Sequence, residues 1–373
     1  MNSKISSTTS VAKPKVHFHF IDALRGIAAL WVVFYHTDPD VRLFELSKLL
    51  PNWFTVVAFK WGSLGVSIFF VLSGFVIAYS LREAKIDFAY FKRFTLRRLT
   101  RLSPPYYVAI LVALGFAFIS SYVKHVAFAP MGESLSFQRL LTHLFYLQGI
   151  FGHKNIDDVY WTLCLEVQFY LIFCALLAIA QWLDFSYNWR YPKAAVFVLA
   201  ATVAALFPLG VFPDNSRPVI FLPLWYAFLL GVFAYWSWRD KLKPIFFYLY
   251  AGLVLTAGIV NSLNFAIASA ITASLILEIG RANRMEWLNW RWLQFLGKIS
   301  YSLYLTHVYL LGIVFFLGYK ILGRHLWSEI LCLVVAIAIC ISFAAIMWQL
   351  VEKPSIKLSQ KVKLVKNTEA IRV

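Results

Sequence analysis

The sequence predicts an all-α fold: a polytopic membrane helix bundle of about ten transmembrane helices with both termini cytoplasmic. Composition, the recurrence of long apolar runs and the distribution of basic residues between those runs carry the prediction. The 373 residues are 61% hydrophobic and 14% charged, with a mean hydropathy of +0.69, outside the range of soluble globular domains. Lys and Arg number 35 against 18 Asp and Glu, a net charge of +17. In a soluble chain that excess would indicate nucleic acid. Here it sits mostly between apolar runs, so a lipid bilayer is the expected partner and nucleic acid is not.

A hydrocarbon core about 30 Å thick needs roughly 20 apolar residues in a helix. Runs that meet this lie near residues 21–37, 62–81, 103–123, 160–183, 194–212, 219–238, 245–262, 264–280, 296–318 and 328–351. The first follows a polar, basic stretch and has no small-residue cleavage site, so it reads as a retained helix and not a removable signal peptide. Residues 1–20 are then a cytoplasmic tail, 21–351 the transmembrane domain and 352–373 a basic cytoplasmic tail. The stretch 140–151 is apolar but too short to span, and reads as re-entrant or interfacial. Ten spans divide the loops into two alternating sets that hold 24 and 9 Lys plus Arg. The positive-inside rule places the richer set, with both termini, in the cytoplasm. No loop is long enough for a soluble catalytic domain, so any chemistry must use the bundle. Cys164, Cys174, Cys332 and Cys340 lie inside apolar runs without disulfide or zinc-site spacing. They read as small buried hydrophobes, and no metal is expected.

Charged groups inside hydrocarbon cost roughly 2.5–3.5 kcal/mol each, which makes each one a site candidate. Arg25 and His36, in IDALRGIAALWVVFYH, are eleven positions apart, close to three helical turns, and so share a face. A rise of ~1.5 Å per residue puts Arg25 ~6 Å inside the cytoplasmic boundary and His36 ~22 Å in. The fourth span enters from outside through WTLCLEVQFYLIF, which puts Glu166 ~9 Å below the outer surface, level with His36. A histidine beside a carboxylate suits a general base whose imidazolium is stabilised. The plainer reading is a polar clamp between helices.

Ser73, in FFVLSGFVI, and His307, in SYSLYLTHVYLL, both come out near the bilayer midplane on the same arithmetic. A Ser-Gly step reads first as a close-packing point, whereas a mid-membrane imidazole needs a partner or water. Tyr304, in the same run, is a further candidate to line the site. The segment FKRFTLRRLTRLSPPYY concentrates Lys92, Arg93, Arg97, Arg98 and Arg101 before the third span. Arg97 and Arg101, at i and i+4, present two guanidinium forks on one helix face, suited to phosphate oxygens. A positive-inside signal or an anionic-lipid patch explains the same charge.

Taken together, DALRGIAAL with His36, GVSIFFVLSGFVI, RRLTRLSPPYY, WTLCLEVQFYL and ISYSLYLTH run in order from Ile21 to about Pro354. As a set they resemble the acyltransferase-3 family of bacterial integral membrane O-acyltransferases. The resemblance implies ten helices in the bacterial inner membrane and cytoplasmic acyl-CoA, usually acetyl-CoA, as co-substrate with no bound cofactor. It also implies a carbohydrate or glycolipid hydroxyl at the outer face as acceptor. Residue by residue, it implies Arg25 and His36 as the first-helix pair and Glu166 as the fourth-helix carboxylate. Arg97, Arg98 and Arg101 fall on the acyl-CoA-binding cluster. Relatives commonly carry a second glutamate where this chain has Val167, so Glu166 is expected to act alone. The stand-alone form, without the hydrolase-like domain of many relatives, is expected. In this scheme His36, oriented by Glu166, deprotonates the acceptor or relays the acyl group, and an acyl-Cys164 intermediate is a minor route because buried thiols are usually inert. The rival reading is a proton-coupled transporter or flippase in which Arg25, His36, Glu166 and His307 form a relay.

Overall fold

Long apolar runs punctuated by charged, glycine- and proline-containing turns give a chain that is helical almost throughout. The computed structural model describes residues 18–212 and 218–364, and no strand occurs among them. Residues 1–17 and 365–373, parts of the two expected tails, lie outside the described residues. The helices are α1 His19–Tyr35, α2 Phe44–Leu49, α3 Asn52–Ala58, α4 Gly65–Ser80, α5 Phe88–Lys124, α6 Phe137–Leu144 and α7 Trp161–Tyr187. They continue with α8 Pro192–Ala205, α9 Trp225–Trp238, α10 Pro244–Val260, α11 Asn264–Arg281, α12 Arg291–Leu322, α13 Leu326–Met347 and α14 Lys353–Lys361. Among the described residues five segments are long and apolar enough to cross a membrane: Asn52–Ser80, Phe88–Lys124, Asp158–Tyr187, Arg291–Leu322 and Leu326–Lys361. α8, α9 and α10 are apolar but shorter.

The clearest departure from the hydropathy reading is the segment 82–101, taken as a loop. Its residues from Phe88 onward are the opening turns of α5, a 37-residue helix. Asp87 caps it by accepting from the Tyr90 amide at 2.6 Å, and the Lys, Arg and Leu residues that follow are good helix formers. At ~1.5 Å per residue α5 is about 55 Å long, so its basic half extends well past an apolar core of about 30 Å. Residues 353–361, read as part of the tail, form α14, with Ser355 and Ser359 buried. The stretch 140–151 contributes only the end of the short α6, whose buried face is Arg139 and His143.

Close helix crossings fix the geometry of the bundle. On Gly26 of α1 a Cβ would lie 2.8 Å from the Gly297 amide nitrogen of α12, and on Gly297 it would lie 2.3 Å from the Asp22 carbonyl. The two backbones therefore touch, which only glycine permits. A matching crossing joins α4 and α9, where a Cβ on Gly74 would meet the Phe228 carbonyl at 2.0 Å. Ser73–Gly74 is thus a packing point, as its sequence suggested, and Ser73 has a second role described below. The short α2 is docked by α13: the buried Glu329 carboxylate accepts from the Glu45 and Leu46 amides at 3.2 and 2.8 Å. Those are amides of the first helical turn, where an anion is stabilised.

A candidate active site in two adjoining cavities

The α1–α12 crossing determines what faces what. His36 stands ten residues after Gly26 and His307 ten residues after Gly297, so parallel helices in contact at the glycines carry both imidazoles to one height, ~15 Å further along. The rings meet there, with His307 Nε2 3.1 Å from His36 Nδ1. The midplane depth expected for His307 was too shallow because α12 begins at Arg291 and not near residue 296, an offset of about 7.5 Å.

Hydrogen bonding assigns the tautomers. His307 Nδ1 lies 3.1 and 2.9 Å from the Leu303 and Tyr304 carbonyl oxygens, which only accept, so Nδ1 carries the proton and Nε2 offers a lone pair. His36 Nδ1, also 3.0 Å from the Val32 carbonyl, is then the donor to His307, and His36 Nε2 is the basic nitrogen. His36 lines a cavity of about 460 Å³ with Tyr35, Ser63, Asp158, Trp161, Asn264 and Phe265.

Glu166 is not the partner of His36. Its Oε1 accepts from Ser73 Oγ at 2.9 Å and from the Tyr170 hydroxyl, and it lines a second, tighter cavity of about 70 Å³ with Arg25, Arg98 and Arg101. Matching depth placed Glu166 and His36 at one level, but depth says nothing about which way each side chain points around its helix. Ser73 and Tyr304 also line this second cavity, whereas Arg97 does not. The i, i+4 pair expected from the sequence is therefore replaced by Arg98 and Arg101 at i, i+3, with the Arg98 guanidinium over the Tyr170 ring at 5.0 Å.

One residue of this cavity escaped the sequence reading. Glu352 was assigned to the tail, but it is 5% exposed and closes a π-helical turn over Trp348–Glu352. Pro354 lacks an N–H to continue the regular ladder, and a π turn absorbs the mismatch. The turn aims the Glu352 carboxylate into the cavity, where it accepts from Ser302 Oγ at 2.6 Å, and Arg101 and Arg25 are the cations that act on it. The legible signal was a carboxylate at the end of an apolar run, two residues before proline.

Among the described residues neither Glu166 nor Glu352 lies within 4 Å of a guanidinium nitrogen, and Arg25, Arg98 and Arg101 form no hydrogen bond to the protein. The carboxylates are held by hydroxyls, which leaves three guanidinium forks directed at the cavity. Such forks match phosphate and carboxylate oxygens. Cys164 lines neither cavity, and its thiol donates to the Tyr160 carbonyl at 3.6 Å. No group of three or more His, Cys, Asp or Glu suited to a metal occurs among the described residues.

Comparison with known proteins bears on this arrangement. The acyltransferase-3 pattern, described as an acyltransferase domain, matches residues 18–348. Nodulation protein 10 of Rhizobium leguminosarum bv. viciae is 25% identical over 378 residues, covering 92% of this chain and 94% of the relative. The peptidoglycan O-acetyltransferase OatA of Listeria monocytogenes is 31% identical over 173 residues, covering 43% of this chain and 24% of the relative. No solved structure matches. With the pattern spanning nearly all of an apolar helical bundle that carries buried histidine, arginine and carboxylate groups, the chain belongs to the acyltransferase-3 family and is a membrane acyltransferase.

Proposed function

We propose that this enzyme is an O-acyltransferase of the bacterial inner membrane that moves an acyl group, acetyl in the first instance, from cytoplasmic acyl-CoA to a hydroxyl of a glycan or glycosylated acceptor on the far side. The single observation that carries the proposal is the adjacency of two cavities of opposite chemistry, one with three arginines that form no hydrogen bond to the described residues and one with a tautomer-defined histidine. In this reading ten helices cross the membrane with both termini inside, consistent with the excess of Lys and Arg in one alternating set of loops. The basic half of α5 then lies at the cytoplasmic face, and Arg25, Arg98 and Arg101 receive donor phosphates while the pantetheine arm extends along α1. A sugar acceptor suits the aromatic and polar lining of the His36 cavity, and OatA, by its name, acts on a glycan.

His36 Nε2 takes the acceptor's hydroxyl proton as its oxygen attacks the thioester carbonyl. The new C–O bond forms, the C–S bond breaks, and CoA leaves as a thiolate that takes a proton from water. His36 then returns its proton to solvent. Asp158 lines the same cavity. His307 holds the ring in the productive tautomer, the role first expected of Glu166. The test is release of CoA from acetyl-CoA by membrane vesicles that carry the enzyme and its native acceptor. His36→Ala is expected to remove 10²–10⁴-fold of the rate, and wild-type release by that variant sinks the proposal.

A further inference from the structure

Transfer between two cavities requires an opening between them, and two side chains line both: Val66 at the start of α4 and Tyr304 of α12. We infer that the acyl group crosses between Val66 and Tyr304, and that the Val66 side chain sets the acyl length the enzyme transfers. This rests on the proposed donor and acceptor sides.

The position of the pair along the bundle fits this role. Tyr304 lies one turn before His307 and therefore close to the height of His36. Arg25 lies eleven residues, about 16 Å, below His36 on α1, and Val66 follows Gly65, which abuts Ala28 and Val32 of α1, so the opening lies between the arginines and His36, where a donor anchored by its phosphates presents its thioester end.

Both sides of the opening are fixed. The Tyr304 hydroxyl lies 2.8 Å from Thr162 Oγ1 and 3.3 Å from the Val159 carbonyl, and its ring meets the edge of Phe69 at 5.6 Å. Opposite, the backbone that carries Val66 cannot retreat. On the preceding Gly65 a Cβ would lie 2.6 Å from the Ala28 carbonyl and 2.7 Å from Val32 Cγ2, so α4 starts in direct contact with α1. A β-branched residue in a helix holds essentially one rotamer. Val66 and Tyr304 are 9% and 6% exposed, so neighbours pack them on their remaining faces. With the walls fixed, the width of the opening follows the volume of one side chain. Val66→Ala removes two methyl carbons, the difference in carbon count between an acetyl and a butyryl group.

The experiment uses inverted membrane vesicles from producing cells, supplied with radiolabelled acetyl-CoA or butyryl-CoA, and counts label in the glycan fraction. Discrimination by one methylene in an apolar passage amounts to about 10–200-fold. Val66→Ala is expected to raise the butyryl-to-acetyl ratio at least tenfold. Val66→Phe is expected to lower transfer of both labels at least a hundredfold, because its ring fills the opening. A Val66→Ala ratio within twofold of wild type overturns the inference, as does wild-type transfer by Val66→Phe. The alanine ratio alone decides if the phenylalanine variant fails to accumulate. No label from either donor in wild-type vesicles overturns the proposed function itself, an outcome distinct from an unchanged ratio.

Discussion

Replacing His307 separates what its ring does from what His36 does. His307 is fully buried and reaches the acceptor cavity only through His36, from which Nε2 accepts at 3.1 Å. In His307→Leu the His36 ring keeps the Val32 carbonyl at 3.0 Å from the same Nδ1. What is lost is one neutral hydrogen bond, with a net value of about 0.5–1.5 kcal/mol. At 1.36 kcal/mol per decade this lowers kcat about two- to thirteenfold. His36→Ala, by contrast, removes the base and about 10²–10⁴-fold. Because His307 acts only through its neighbour, the double variant should fall no further than His36→Ala alone. The assay is single-turnover CoA release by the four proteins in vesicles. Equal losses in the two single variants, or losses that multiply in the double variant, would give His307 its own part in the chemistry and refute the positioning role.

Three further predictions concern the scaffold. Arg139 is fully buried and donates to the carbonyls of Glu133, Pro130, Lys154 and Asn155 at 2.5, 3.0, 3.0 and 3.0 Å. Lysine has no planar fork to reach all four, so Arg139→Lys should cost about 3 kcal/mol locally and expose residues 125–157 to protease nicking; an unchanged cleavage rate refutes this. His143 accepts from the Ile156 amide at 3.0 Å and faces the Arg139 carbonyl at 2.8 Å, and burial holds it down to about 4 from an ordinary 6.5. The folded protein thus binds the proton later than the unfolded chain, so stability is flat above pH 6.5 and falls towards pH 4, by up to about 3 kcal/mol. Thermal unfolding across that range should show the slope in the wild type and a flatter one in His143→Gln. On α12, Gly297→Val forces a side chain against the Asp22 carbonyl and should cost about 3 kcal/mol together with activity. Gly115→Ala meets nothing within 4 Å and should be neutral or stabilise by up to about 1 kcal/mol, which separates crowding from loss of glycine as such.

Hydropathy marks where a helix must be apolar, not where it stops. That is why the apolar runs were legible while the ends of α5 and α12 were not: polar residues continue a helix at no cost once it leaves hydrocarbon. The error propagates, since the five residues missed at the start of α12 moved His307 away from His36. Side-chain direction was the other blind spot. Arg25, Ser73, Glu166 and Tyr304 do gather in one cavity, and helical spacing made Arg25 and His36 share a face. Whether His36 meets Glu166 or His307 depends on which helices touch, and that is set by Gly26 and Gly297, residues with no side chain for a pattern to register.

The charge balance of the arginine cavity argues for an anionic visitor and not for a structural ion-pair network. Three guanidinium groups face two carboxylates there. Had the five been arranged for stability, buried charges would be expected to pair at hydrogen-bond distance, since an unpaired buried charge is costly. Instead Ser73 and Tyr170 occupy Glu166, and Ser302 occupies Glu352. The hydroxyls keep the carboxylates close enough to offset part of the arginine charge yet out of the forks. Such an arrangement leaves the forks open to a ligand that brings several negative oxygens. Glu352→Gln tests this, because the amide retains a partner for Ser302 and removes one negative charge. CoA should bind more tightly to that variant, with a steeper weakening by salt, whereas a carboxylate that served only to anchor the arginines would leave CoA binding weaker when lost.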